Sequence, residues 1–174
     1  MKSLNEHLSN YAAYHRDRRN IATHFFGVPM IVLGVAALLS RPAFAVGAVT
    51  LSPATFVIAG SVLFYLLLDL RFGVVMGMLM GLSGWFGASL ATETTAVWLS
   101  GSLGLFVVGW VIQFVGHYYE GRKPAFVDDL IVLLLGPLFV VAEAGFALRM
   151  RDEVRQAVEA KVGPTLIRER RHAA

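Results

Sequence analysis

The chain has 174 residues, of which 56% are hydrophobic and only 16% are charged, whereas about 25% charged residues is usual in a soluble domain. It contains no cysteine, which excludes disulfides, iron–sulfur clusters and thiolate zinc sites, so a metal ion here would need His, Asp or Glu ligands. The formal net charge of +3 is modest, and the basic residues lie in short segments between apolar runs, a pattern that suits an anionic membrane surface and not nucleic acid. The composition therefore indicates a membrane protein, with one domain over residues 1–174.

The N-terminal residues predict an amphipathic helix that lies at the membrane interface. Between residues 3 and 19, Leu4, Leu8, Tyr11 and His15 recur at helical spacing among polar and basic residues. This helix leads directly into the first apolar run.

Five apolar runs predict membrane helices within residues 21–148. They lie at 21–40, 53–68, 72–91, 95–119 and 130–148. About twenty apolar residues are enough to cross a hydrocarbon core of roughly 30 Å. The fifth run contains Pro137 and Glu143, and a complete crossing there would place the arginines that follow it on the side opposite to the other basic residues. We therefore expect a re-entrant or tilted half-span, the alternative being that the positive-inside rule fails at this end; residues 149–174 form a charged tail. The predicted fold class is all-α: a polytopic membrane helical bundle of four to five membrane helices plus an N-terminal interfacial helix.

Basic residues near the ends of the runs predict the orientation. If the arginines of residues 16–19 are cytoplasmic, the second run returns Arg71 to the cytoplasm and the fourth returns Arg122 and Lys123 there. The N-terminal histidines and the end of the fourth run then share the cytoplasmic side.

Three of the five histidines lie next to run ends on that side. In the fourth run Gln113, His117 and Glu120 follow at steps of three or four and share one helix face, so His117 and Glu120 can bind one ion. His15 and His24 are nine residues apart, which on an unbroken helix means opposite faces and a rise of about 13.5 Å. They can converge only if the helix is interrupted between them.

Asn20 and Thr23 are good N-cap residues, so we predict a turn there that folds His15 back towards His24. Glu143 lies inside an apolar run, where a carboxylate must be paired or coordinated, which makes it a candidate for the same site. Arg122 and Lys123 suit either lipid phosphates or the carboxylate of a fatty acid.

Histidine and carboxylate ligands without thiolate suit iron, manganese or zinc. A site at the membrane surface beside apolar helices suggests a lipid substrate whose tail stays in the bilayer. Metal-dependent oxidation and metal-assisted hydrolysis both remain open on this ground, as does a non-catalytic helical scaffold whose histidines only anchor it.

The chain resembles the Mpo-type membrane 2-hydroxy-fatty-acid dioxygenase family over residues from about 4 to 150. The resemblance is carried by the patterns Y-x3-H-x4-N-x3-H-x2-G-x-P from Tyr11 to Pro29, Q-F-x-G-H-x2-E-x3-P-A from Gln113 to Ala125, and P-x-F-x3-E from Pro137 to Glu143. Many members carry Trp near the position of His7, and the basic tail after residue 155 is not part of the family pattern.

This resemblance implies an enzyme of fatty acid α-oxidation that depends on Fe(II) and O2 and converts a long-chain 2-hydroxy fatty acid to the acid one carbon shorter. Eukaryotic members act in the endoplasmic reticulum in breaking down the phytosphingosine chain. Carried over by position, the resemblance implies His15, His24 and His117 as iron ligands, with Glu120 and Glu143 as further ligands or as partners of the ligands.

Three further expectations complete this prediction. Gln113 hydrogen-bonds a ligand, and Arg122 or Lys123 steers the substrate carboxylate. Because the chain has no eukaryotic retention signal, we expect a bacterial inner membrane rather than the endoplasmic reticulum, with the site facing the cytoplasm.

Overall fold

The computed structural model describes residues 2–47, 49–122 and 131–167. The helices in these ranges are α1 (Leu4–Ala12), α2 (Arg18–Ser40), α3 (Pro53–Leu68), α4 (Leu70–Ala91), α5 (Thr95–Glu120), α6 (Val132–Ala147) and α7 (Asp152–Val162). Between α2 and α3, strand β1 (Phe44–Val46) pairs antiparallel with β2 (Val49–Leu51) in a short hairpin that was not predicted. The predicted all-α class is confirmed.

Three helices among the described residues, α2, α4 and α5, are long and apolar enough to cross a membrane. A fourth crossing results if α6 and α7, which are bent by 112° relative to each other, count as one span; α3 is apolar but shorter, with 16 residues. Large hydrophobic side chains such as Leu67, Leu82 and Trp85 are exposed on these helices, as expected where helices face lipid.

The interruption near the end of the chain lies after α6 and not at Pro137. The α6 helix continues through Pro137, whose ring removes a single backbone hydrogen bond. Arg149 and Arg151 both have φ 58, in the left-handed region that ends helices, and the chain bends there into α7. The re-entrant or tilted half-span expected in the fifth run stays a prediction, and the bend that it would need lies after α6.

Two compact units make up the described chain, one of which is Gly27–Val111. In this unit Asp69 ends α3 and caps α4, since its carboxylate accepts a hydrogen bond from the Phe72 N–H at 2.9 Å. Gly73 allows α3 and α4 to approach closely, because a Cβ there would lie 2.6 Å from the Leu66 Cα. Gly73 thus brings the two helices together.

The other unit holds the candidate site and comprises residues 2–26, 112–122 and 131–167 of the described chain. Helix α1 begins with a capping box between Ser3 and Glu6 and packs against α6 and α7. It ends at Ala12, so the helix predicted over residues 3–19 is shorter than expected, and residues 13–17 form a loop before α2. Its interfacial position and the single domain over residues 1–174 stay predictions.

Candidate metal centre

Three buried histidines converge in this unit. His15 lies in the loop between α1 and α2, His24 lies near the start of α2, and His117 lies in the last turn of α5. One ring nitrogen of each lies within 4.8 Å of those of the other two, and the side chains are almost fully buried. The structure therefore brings together the three residues expected to bind the metal. The two that are furthest apart along the chain, His15 and His117, are separated by 102 residues.

Backbone carbonyls orient two of these imidazoles. The His15 Nδ1–H donates to the Tyr11 carbonyl at 2.7 Å, and the His24 Nδ1–H donates to the Asn20 carbonyl at 2.8 Å. The Tyr11 ring also stacks on His15, with ring centroids 4.1 Å apart. Each Nε2 then keeps its lone pair, which is the arrangement that metal-binding histidines commonly show.

Two of the ring nitrogens lack a hydrogen-bond partner within the described residues. They are the Nε2 of His15 and the Nδ1 of His117, both buried. Buried polar atoms are normally paired, so these nitrogens fit the ligation of a cation. The donor set of three imidazoles suits a divalent transition metal.

The buried position of His15 also favours the ligating form of its side chain. Burial lowers the pKa of the His15 imidazole well below its ordinary value, and the neighbouring His24 adds to this effect. The hydrogen bond to the Tyr11 carbonyl opposes the shift but does not cancel it. At neutral pH His15 is therefore uncharged, as a metal ligand must be.

Glu120 holds the loop that carries His15. It is 2% exposed, and its Oε2 accepts hydrogen bonds from the Arg16 N–H at 3.0 Å, the Asp17 N–H at 2.8 Å and the Asn20 Nδ2 at 3.1 Å. The cluster of ligand atoms found among the described residues consists of the three imidazoles and does not include this carboxylate. The geometry gives Glu120 the part of a partner that places the ligands.

Helix α2 begins three residues before the predicted turn. The Asp17 carboxylate accepts a hydrogen bond from the Arg19 N–H at 2.8 Å and so caps the helix that starts at Arg18. Asn20 and Thr23 lie inside the helix: Asn20 donates to Glu120, and the Thr23 hydroxyl donates to the Asn20 carbonyl. The chain is interrupted before His24 as predicted, but the choice of Asn20 or Thr23 as cap was wrong because Asp17 takes that position.

Glu143 is paired with an arginine that the sequence analysis did not assign to the site. Its Oε1 lies 3.4 Å from the Nη2 of Arg16, which is only 4% exposed. Arg16 also donates from Nε to the carbonyls of Ala12 and His15. Glu143, which is half-buried within an apolar helix, thus pairs with Arg16, and the sequence signal for this pairing was weak because 127 residues separate the two.

The other predicted site residues are Gln113, Arg122 and Lys123. Gln113 is buried one turn before His117 on α5, and its Oε1 has no hydrogen-bond partner in the described part of the chain. Arg122 donates from Nη1 to the Ala13 carbonyl at 3.0 Å in an exposed position. Lys123 lies outside the described residues, and substrate binding by either cation stays a prediction.

The fold and the site define a class of protein: a helical membrane protein with a buried cluster of three histidines. Residues 1–148 match the family described as 2-hydroxy-palmitic acid dioxygenase Mpo1-like, and the chain belongs to that family. The predicted resemblance is confirmed. The chain is 31% identical over 158 residues to the protein named 2-hydroxy-palmitic acid dioxygenase MPO1 of Saccharomyces cerevisiae, which covers 90% of this chain and 87% of the yeast protein. No solved structure matches the chain.

Proposed function

We propose that this protein is an iron(II)-dependent dioxygenase of fatty acid α-oxidation, which converts a long-chain 2-hydroxy fatty acid to the acid one carbon shorter. The observation that carries the proposal is the cluster of three buried imidazoles, whose ligand nitrogens lie within 4.8 Å of one another. Family membership and the name of the yeast relative support the substrate class and the use of O2.

His15, His24 and His117 would hold the metal ion. Imidazole ligands alone suit iron, manganese and zinc, but zinc has no redox chemistry and does not suit a dioxygenase reaction. The choice of iron over manganese rests on the resemblance to the family. When bound, iron(II) supplies the redox chemistry through which O2 reacts with the hydroxy acid.

The overall reaction balances without a separate reductant. The C1–C2 bond breaks, C1 leaves as CO2, and C2 becomes the carboxyl carbon of the shortened acid. C1 and C2 together lose as many electrons as the reduction of one O2 consumes, and water is the remaining product. We therefore expect turnover with O2 alone, without a reducing cosubstrate.

The residues of the chain hold and orient the reacting groups. Tyr11 fixes the tautomer of His15, and Glu120 fixes the loop on which His15 lies. The unpaired Oε1 of Gln113 accepts a hydrogen bond from a group bound at the site, and Arg122, with Lys123, attracts the substrate carboxylate. The apolar surfaces of the long helices allow the acyl chain to remain in the bilayer.

The test is aerobic turnover of 2-hydroxypalmitate by the purified, iron-loaded protein. We expect pentadecanoic acid, detected by mass spectrometry, in proportion to the O2 consumed, and no product under anaerobic conditions. His15→Ala, His24→Ala and His117→Ala should each abolish both bound iron and turnover. His172→Ala is the matched control and should retain both.

The alternatives give different results in the same experiment. Lipid ester cleavage by the zinc-loaded protein without O2 would indicate a membrane hydrolase instead. If purified protein binds no metal and the histidine variants are unchanged in every assay, the scaffold interpretation is correct. An iron-loaded protein that consumes O2 without forming the shortened acid would contradict the assigned substrate.

A further inference from the structure

We infer that the segment Gly163–Ile167, here called the C-terminal strap, is a working part of the metal centre because it positions the loop that carries His15. The inference rests on the proposed role of His15 as a metal ligand. The family match ends at residue 148, so the strap lies beyond the part of the chain through which the family was identified.

The strap is joined to the His15 loop by main-chain hydrogen bonds. The Leu166 N–H donates to the Arg16 carbonyl at 2.9 Å, and the Arg18 N–H donates to the Leu166 carbonyl at 2.9 Å, which makes a parallel bridge between Asp17 and Leu166. In addition, Nη1 of Arg16 donates to the Gly163 carbonyl at 3.0 Å. These three bonds connect the strap to Arg16, which follows His15, and to Arg18 at the start of α2.

The strap and Glu120 form hydrogen bonds with different backbone groups of the same loop. Glu120 accepts from the N–H groups of Arg16 and Asp17, whereas Leu166 pairs with the carbonyl of Arg16 and the N–H of Arg18. Arg16 and Asp17 are buried, so a backbone N–H or C=O that loses its partner here cannot form a hydrogen bond to water instead. Without the strap, the loop would have to move towards solvent to pair these groups, and His15 would move with it.

Helix α7 determines where the strap lies. Val154 and Val158 are buried on α7, which packs against α1. Gly163 ends the helix with φ +81, a conformation that strongly favours glycine, and the strap follows directly. The bend after α6 therefore directs α7 and the strap to the loop between α1 and α2, which carries His15.

The strap acts through its backbone, since the Leu166 side chain is 45% exposed. This separates two substitutions at one position. Leu166→Pro removes the N–H that bonds to Arg16, whereas Leu166→Ala keeps the backbone and removes only an exposed side chain. The second variant is the matched control for the first.

The first measurement is metal affinity of the full-length protein, titrated with Co(II) and followed by its visible spectrum. We expect Leu166→Pro to bind Co(II) about 10-fold to 100-fold more weakly, the range seen when partners of metal ligands are lost, with a spectrum altered by the displaced imidazole. Leu166→Ala should remain within about twofold of the wild type. Met76→Ala, in the core of the other unit, should lower the thermal stability but leave the spectrum and the affinity unchanged.

The second measurement is amide hydrogen exchange in the metal-free protein. The amide of Arg18 should exchange at least about tenfold faster in Leu166→Pro than in Leu166→Ala, because the strap is its acceptor. If Leu166→Pro keeps both the wild-type affinity and the wild-type exchange, the inference is overturned. Neither measurement uses turnover: a protein that binds metal through a strap-dependent site but does not shorten 2-hydroxypalmitate contradicts the proposed function and leaves the strap intact.

Discussion

Glu120 shows how one buried carboxylate can organise a site without being a ligand. Its Oε2 accepts three hydrogen bonds, two of them from the backbone next to His15. We predict that Glu120→Ala lowers metal affinity at least about tenfold and destabilises the protein by about 3 kcal/mol, because the buried donors lose a charged acceptor. Glu120→Gln keeps one oxygen and should lie between the alanine variant and the wild type. Metal titration and thermal unfolding measure the two effects, and wild-type affinity in Glu120→Ala would contradict the assigned role.

For Glu143 we predict that metal affinity is retained, since its partner is Arg16 and not the histidine cluster. Glu143→Gln should keep metal affinity within about threefold of the wild type, while the protein loses about 1–3 kcal/mol of stability because Arg16 is left buried beside a neutral group. Metal content after dialysis, compared with that of His15→Ala, tests whether Glu143 is a metal ligand. A loss of metal as complete as in His15→Ala would make Glu143 a ligand.

At the level of single residues, the sequence predicts which side chains converge at the site better than it predicts their hydrogen-bond partners. The shared face of Gln113, His117 and Glu120 follows from helical spacing alone, and all three are buried. The capping residue could not be chosen locally, since Asp and Asn are comparable caps, and Asn20 is drawn inward by a carboxylate 100 residues away.

Among the helices, the contact between α2 and α5 sets the distance between His24 and His117. Gly116 makes this contact possible, because a Cβ at that position would overlap the Thr23 hydroxyl and the Asn20 carboxamide. We predict that Gly116→Ala costs about 1–3 kcal/mol and weakens metal binding, since the two histidines adjoin the displaced residues.

The matched control for this prediction lies on the same helix. A Cβ at Gly104 of α5 would meet no atom within 4 Å, so Gly104→Ala should be neutral or slightly stabilising. Thermal unfolding and Co(II) titration of both variants test the idea. Equal behaviour of the two alanine variants would mean that the contact at Gly116 does not control the site.

The helices themselves were largely predictable, whereas the strap was not. Long apolar runs gave α2, α4 and α5 to within a few residues, because membrane helices need little more than length and hydropathy. The strap binds Arg16 through backbone atoms from about 150 residues away, and backbone pairing of so few residues leaves no periodic pattern in the sequence.

For the whole molecule, helix α5 relates the site to the bilayer. The helix runs from Thr95 to Glu120, which at 1.5 Å per residue is about 39 Å and exceeds a hydrocarbon core of about 30 Å. His117 lies in the last turn of this helix and Glu93 precedes its first residue, so we predict that a crossing by α5 places the two on opposite sides of the membrane. The arginines at the site end favour the cytoplasm for that side.

The absence of cysteine makes this orientation directly measurable with single-cysteine variants. Asn10→Cys labels an exposed residue of α1 on the site side, and Glu93→Cys labels an exposed residue between α4 and α5. In intact bacterial spheroplasts, a membrane-impermeant maleimide should react with Glu93→Cys and not with Asn10→Cys, and both should react after lysis. Both substitutions replace exposed side chains outside the histidine cluster, so metal binding should be retained, and its retention shows that the labelled protein is folded. Reaction of Asn10→Cys before lysis would place the metal centre on the outer face, where the substrate would have to arrive from the opposite side of the membrane.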